Sequence, residues 1–81
     1  MKLPRDVSGE ELVKQLRVFG YQVSRQAGSH LRLTTTQGGE HHVTIPRHDH
    51  LKLGTLAGIL GDVAEHFHLS RDEVIDRIFG K

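Results

Sequence analysis

The sequence contains no cysteine and no tryptophan, one tyrosine, three phenylalanines and two prolines. Without cysteine there is neither a disulfide framework nor a thiolate metal site. No apolar run approaches the roughly 20 residues that cross a bilayer. The N-terminal Met1-Lys2-Leu3-Pro4-Arg5-Asp6 lacks the apolar core of a secretory signal. These absences predict a soluble, cytoplasmic protein with no membrane partner. An excess of one charge is missing too: the formal net charge is +1, which argues against a strongly cationic nucleic-acid binder. The 81 residues fit a single domain spanning 1–81. A chain this short buries about 60–65% of its unfolded surface. Its site must therefore lie on the surface or in a shallow groove.

What charge there is has been distributed unevenly. Between Lys14 and Lys52 stand six bases (Lys14, Arg17, Arg25, Arg32, Arg47, Lys52) against two acids, Glu40 and Asp49. From Leu53 to Lys81 three bases meet five acids, and five of the seven histidines fall between His30 and His50. Such asymmetry can create a local anion-attracting face on a nearly neutral protein.

Ser8-Gly9-Glu10-Glu11 has the form of a capping box, with Val7 and Leu12 placed as a hydrophobic staple. Leu12, Val13, Leu16 and Phe19 then predict a first helix from Gly9 to Phe19, closed by Gly20. Three strands are expected next, over Tyr21 to Gln26, His30 to Thr36 and Glu40 to Ile45, separated by turns at Gly28-Ser29 and Gln37-Gly38-Gly39. Period two sets Leu31, Leu33, His41, Val43 and Ile45 toward the helices and His30, Arg32, Thr34, His42 and Thr44 away from them. Thr55 is the expected N-cap of a second helix carrying Leu56, Ile59, Leu60, Val63 and Phe67. Gly58 and Gly61 weaken that helix by roughly 1 kcal/mol each relative to alanine. A second capping box, Ser70 to Glu73, opens a short last helix through Phe79. The order α-β-β-β-α-α predicts an α+β two-layer sandwich, with a three-stranded antiparallel sheet, helices on one face and the other face in solvent.

The chemistry concentrates at Arg25-Gln26-Ala27-Gly28-Ser29-His30-Leu31-Arg32. Imidazole exchanges protons near neutral pH, and guanidinium groups hold phosphates by bidentate contacts. RNA carries its own nucleophile, the 2′-hydroxyl. A protein need only take that proton, protonate the leaving oxygen and stabilise the developing charge. His30 as base with Arg25 and Arg32 on the phosphate would suffice, with no metal or other cofactor; the alternative is a histidine bonded at a turn. His41, His42, His48, Asp49 and His50 invite a metal reading, but His41 and His42 point to opposite faces of a strand. His66 and His68, near a helix end, are expected to be structural. DNA binding by the last helix pair is opposed by Asp72, Glu73 and Asp76. Base stacking has only Tyr21 as an exposed candidate. A non-catalytic RNA-binding or protein-interaction module is the competing reading.

The ordered series of pieces resembles the HicA family of toxins. The pieces are the helix from Ser8 to Phe19, Gly20-Tyr21, Arg25-Gln26-x-Gly28-Ser29-His30, Val43-Thr44-Ile45-Pro46, and Pro46-x-His48-x-x-Leu51-Lys52-x-Gly54-Thr55-Leu56-x-x-Ile59-Leu60. Together they span about residues 6 to 79. The resemblance implies a fold like that of a double-stranded RNA-binding domain. It implies a ribonuclease that cleaves mRNA without a metal and is neutralised by a HicB-like antitoxin covering its active site. The histidine of the Gly-Ser-His motif, here His30, is then the catalytic one, and Gly28 and Ser29 are the turn residues that aim it. Leu31 departs from the family pattern, in which a polar or aromatic residue often follows the histidine.

Overall fold

The computed structural model describes residues 3–80; Met1 and Lys2 of the N-terminal stretch, and Lys81, lie outside the described residues. Ser8 caps the first helix as expected. Its hydroxyl accepts from the Glu11 amide at 3.0 Å, and the Glu11 carboxylate accepts from the Ser8 amide at 3.4 Å. This box starts α1 (Gly9–Gln15). The helix is shorter than the apolar spacing predicts. Leu16–Phe19 winds on as a 3-10 turn that Gly20 ends at φ 83°, a left-handed conformation that favours glycine. The tighter winding still buries both Leu16 and Phe19.

The sheet is an antiparallel meander in the order β1 (Gln22–Ala27), β2 (His30–Thr35), β3 (His41–Pro46). Leu31, Leu33, Val43 and Ile45 are buried toward the helices, while His30, Arg32, His42 and Thr44 are exposed on the opposite side. Thr35 is buried on the inner side too, and its hydroxyl donates to the Phe19 carbonyl at 2.7 Å. His41, expected inward with Val43, stays half-buried at the strand end. Tyr21 precedes β1 and is fully buried. It is therefore not the exposed stacking aromatic that the sequence suggested. Val23 is 46% exposed, because the helices pack over β3 and leave the β1 edge uncovered.

α2 (Leu53–Phe67) has its cap three residues before the expected Thr55. Extended Lys52 is the N-cap and makes no side-chain cap bond; its carbonyl accepts from the Leu56 amide at 2.9 Å. The preceding Leu51 amide is tied to the Val7 carbonyl at 2.8 Å, so backbone anchoring sets the helix start. α3 (Arg71–Phe79) follows its predicted capping box, with Ser70 and Glu73 bonded reciprocally. Leu56, Leu60, Val63, Val74, Ile75 and Ile78 complete one core with the inner sheet face and α1. The architecture is the predicted two-layer α+β sandwich.

Gly9 marks where α1 meets the end of β3. Its amide donates to the His48 carbonyl at 2.9 Å, and a side-chain carbon there would land on the Pro46 carbonyl oxygen. Gly9→Ala is expected to cost about 1–3 kcal/mol by overpacking. Thermal unfolding checks it, at roughly 4–8 °C of midpoint per kcal/mol for a chain this size; an unchanged midpoint would contradict the tight contact.

Candidate active site

The β1–β2 connection is the two-residue turn Gly28-Ser29, closed by the pair Ala27 and His30. Gly28 takes φ 57°, and Ser29 has no positive φ, the pattern of a II′ turn with glycine first. Nothing lies near the position of a Gly28 side chain, so backbone conformation rather than space requires glycine. His30 opens the central strand and is paired on both sides, with Ala27 on β1 and Pro46 on β3. The Ser29 carbonyl accepts from the Arg47 amide at 2.7 Å, tying the turn to the chain just beyond β3. The backbone under His30 is thus held from two directions, while its side chain is exposed.

Arg25 reaches the same face through an irregularity. Val23 pairs with Leu33 and Arg25 with Arg32, leaving Ser24 as one extra residue. A strict period two continued from Val23, the partner of inward-facing Leu33, would put Arg25 on the helix side of the sheet. The bulge instead brings Arg25 opposite outward-facing Arg32, the kind of re-aiming that β-bulges provide. Ser24 stabilises it: its hydroxyl lies 2.7 Å from Thr34 Oγ1 and 3.2 Å from the Arg32 carbonyl oxygen.

Arg25, Ala27, His30, Arg32 and Thr44 line one shallow depression of ≈ 210 Å³ on the open sheet face. No acidic residue lines it. Among the described residues, neither arginine has an ion-pair partner. Like charges directly opposite across a ladder are destabilising, so two facing guanidinium groups mark a place where an anion would be welcome. An imidazole at the edge of that place can take or give a proton.

Gly28 and Ser29 do not line this depression. They border a larger hollow of ≈ 420 Å³ beyond the turn, with Ser8, Glu10, Arg47, His48 and Asp49. That hollow suits an anion poorly despite its size. It holds two carboxylates, and its Arg47 is already bound by Glu10 through contacts of 2.9 and 3.2 Å. The two turn residues therefore shape the site without lining it.

The remaining histidines divide. His50 Nδ1 sits 3.5 Å from Asp6 in solvent. Among the described residues no group of three or more His, Asp and Glu side chains is arranged to hold a metal ion. His68 caps α2 in the left-handed region at φ 57°. His66 Nε2–H donates to the Gln37 carbonyl at 2.9 Å, and its ring stacks on His41 with centroids 4.4 Å apart. Tyr21 Oη lies 2.7 Å from His41 Nδ1. Burial, and then Asp62, push the Tyr21 phenol up to about 12, so it stays protonated.

His41 is held below its ordinary 6.5, first by burial and then by neighbouring His66, with His42 adding to the effect and Asp62 and Glu65 opposing it. The unfolded chain then binds the proton more readily than the folded one. Stability is accordingly full above pH 6.5 and is lost as pH falls through the depressed folded value. Urea unfolding of the wild type and His41→Gln across this range tests it. The wild type should lose more stability on acidification; parallel losses would contradict the assignment.

One further chain of side chains has only a partial signature in the sequence. Glu40 Oε2 accepts from His42 Nε2–H at 2.9 Å, and His42 Nδ1 lies 2.8 Å from Thr34 Oγ1, which in turn meets Ser24. Glu40 and His42 are two residues apart, but Thr34 and Ser24 join them only through strand register.

The fold and this face define a small sheet-and-helix domain whose open side carries a histidine and two arginines that have no ion-pair partner among the described residues. The family model for the HicA toxin of bacterial toxin–antitoxin matches residues 9–64, more than half the chain and all of the site. The chain belongs to the HicA toxin family. No curated protein and no solved structure matched it. Among the described residues, no helix is long and apolar enough to cross a membrane.

Proposed function

We propose that the protein is the ribonuclease toxin of a toxin–antitoxin pair, a cytoplasmic enzyme that cuts mRNA with His30. The observation that carries this reading is the meeting of His30, Arg25 and Arg32 in one acid-free depression. In the reaction, His30 takes the proton of the ribose 2′-hydroxyl. The 2′-oxygen attacks the adjacent phosphorus, and the P–O5′ bond breaks as the new P–O2′ bond forms. The leaving 5′-oxygen collects a proton, so the products are a 2′,3′-cyclic phosphate and a 5′-hydroxyl. Arg25 and Arg32 face each other across the ladder and hold the phosphate oxygens on which charge builds. Preorganised donors of this kind need no rearrangement as the reaction proceeds. Gly28 and Ser29 set the direction of His30.

RNA supplies the nucleophile, so the reading requires no metal and no cofactor, and cleavage is expected to survive a chelator. A HicB-like antitoxin would silence the enzyme by covering the exposed His30. The test is induced expression of the wild type and His30→Ala in a host cell. Growth arrest with transcript loss in the wild type alone supports the proposal. Equal arrest by both variants would overturn it, and salt-dependent RNA binding without cleavage would favour a non-catalytic module.

A further inference from the structure

We infer that His42 is a base-stacking subsite for the nucleotide of single-stranded RNA that neighbours the cleaved phosphate. The inference rests on the ribonuclease reading above and adds to it a second contact with the substrate. His42 stands on the open face of β3 opposite Thr34, and Thr44, two residues along the same strand, lines the depression that contains His30. His30 itself is paired with Pro46, four residues from His42 and roughly 14 Å away at the rise of a strand. That separation is too long for both imidazoles to serve one phosphate. It suits the adjoining nucleotide of a strand laid along the sheet.

Both nitrogens of the His42 ring are occupied. A carboxylate only accepts hydrogen bonds, so Nε2–H donates to Glu40 Oε2 at 2.9 Å. In the neutral ring Nδ1 then accepts, and Thr34 Oγ1 at 2.8 Å donates to it. Thr34 has then spent its one proton, so Ser24 Oγ, 2.7 Å away, donates to Thr34 Oγ1 and completes a chain that crosses all three strands and pins the ring from both edges. With its edges satisfied, the side chain, 35% exposed, has its aromatic face left to offer. Histidine is among the side chains on which unstacked RNA bases lie. A ring already fixed by its neighbours loses little freedom when it is covered. No helix packs on this side of the sheet, where Arg32, His42 and Thr44 are all exposed, so a base can approach. Tyr21, the aromatic that the sequence offered for stacking, is fully buried.

Fluorescence anisotropy with a short, labelled, mixed-sequence single-stranded RNA tests the inference, with His30→Ala as the parent protein so that binding is read without cleavage. Adding His42→Ala should weaken binding by roughly 5- to 150-fold, the range for losing one stacked base. Adding His42→Phe, which keeps an aromatic face but loses the bonds that fix it, should recover most of the affinity lost in His42→Ala. Binding equal to the parent in His42→Ala overturns the subsite, as does His42→Phe binding as weakly as His42→Ala. If the parent binds no RNA, the ribonuclease reading falls together with the subsite. If the parent binds and His42 is silent, the subsite alone falls.

Discussion

Replacing His30 with alanine is expected to slow RNA cleavage by about 10²–10⁴-fold, the usual contribution of a positioned acid–base group. The loss should come without unfolding. The His30 side chain is exposed, and the position is held by backbone pairing to Ala27 and Pro46 and by the Ser29–Arg47 bond, none of which needs the imidazole. A cleavage assay beside a thermal melt checks both halves. An inactive variant that melts like the wild type meets the expectation, whereas an unchanged rate removes His30 from the reaction. Rescue of the lost rate by added imidazole would tie the defect to the missing proton carrier rather than to a shifted backbone.

The second large effect concerns the arginines, where activity and stability should move in opposite directions. Arg25→Thr is expected to lower cleavage by roughly 10- to 150-fold, corresponding to about 1.5–3 kcal/mol for a lost charged hydrogen bond. The same change should stabilise the fold by about 0.2–1 kcal/mol, because it removes a like-charge pair facing across β1 and β2 and introduces a good strand former. A residue kept for the fold would show the reverse sign in the melt. Unchanged cleavage, or a lowered unfolding midpoint, would contradict the phosphate role given to Arg25.

Local signals were legible in the sequence and non-local ones were not. The capping boxes at Ser8 and Ser70 start α1 and α3 where the sequence put them. The alternation from His30 through Thr34 set His30 and Arg32 on the open face. The α2 start was missed because Lys52 caps it through extended backbone and the Leu51–Val7 bond, whereas Thr55 has the side chain of a cap. Tyr21 was misplaced because an aromatic at a strand edge reads as exposed. Its hydroxyl finds His41, twenty residues along, and that bond lets the ring be buried.

The candidate site was half legible. Its histidine and Arg32 follow from strand phase, but the facing of Arg25 onto Arg32 depends on the bulge at Ser24. That bulge is fixed by hydroxyl contacts with residues eight and ten positions away, and such contacts leave no mark on local periodicity. The pinning of His42 escaped for the same reason. Glu40 is visible beside it, while Thr34 and Ser24 arrive only when the strands pair.

The central claim is that His30 cuts RNA by activating the substrate's own 2′-hydroxyl. The most direct measurement is the chemical nature of the new ends formed when purified wild type and His30→Ala are incubated with one RNA in the presence of a chelator. The wild type should leave 2′,3′-cyclic phosphate and 5′-hydroxyl ends, and His30→Ala should leave the RNA intact over the same time. Ends bearing a 3′-hydroxyl and a 5′-phosphate, or equal cleavage by His30→Ala, would contradict it.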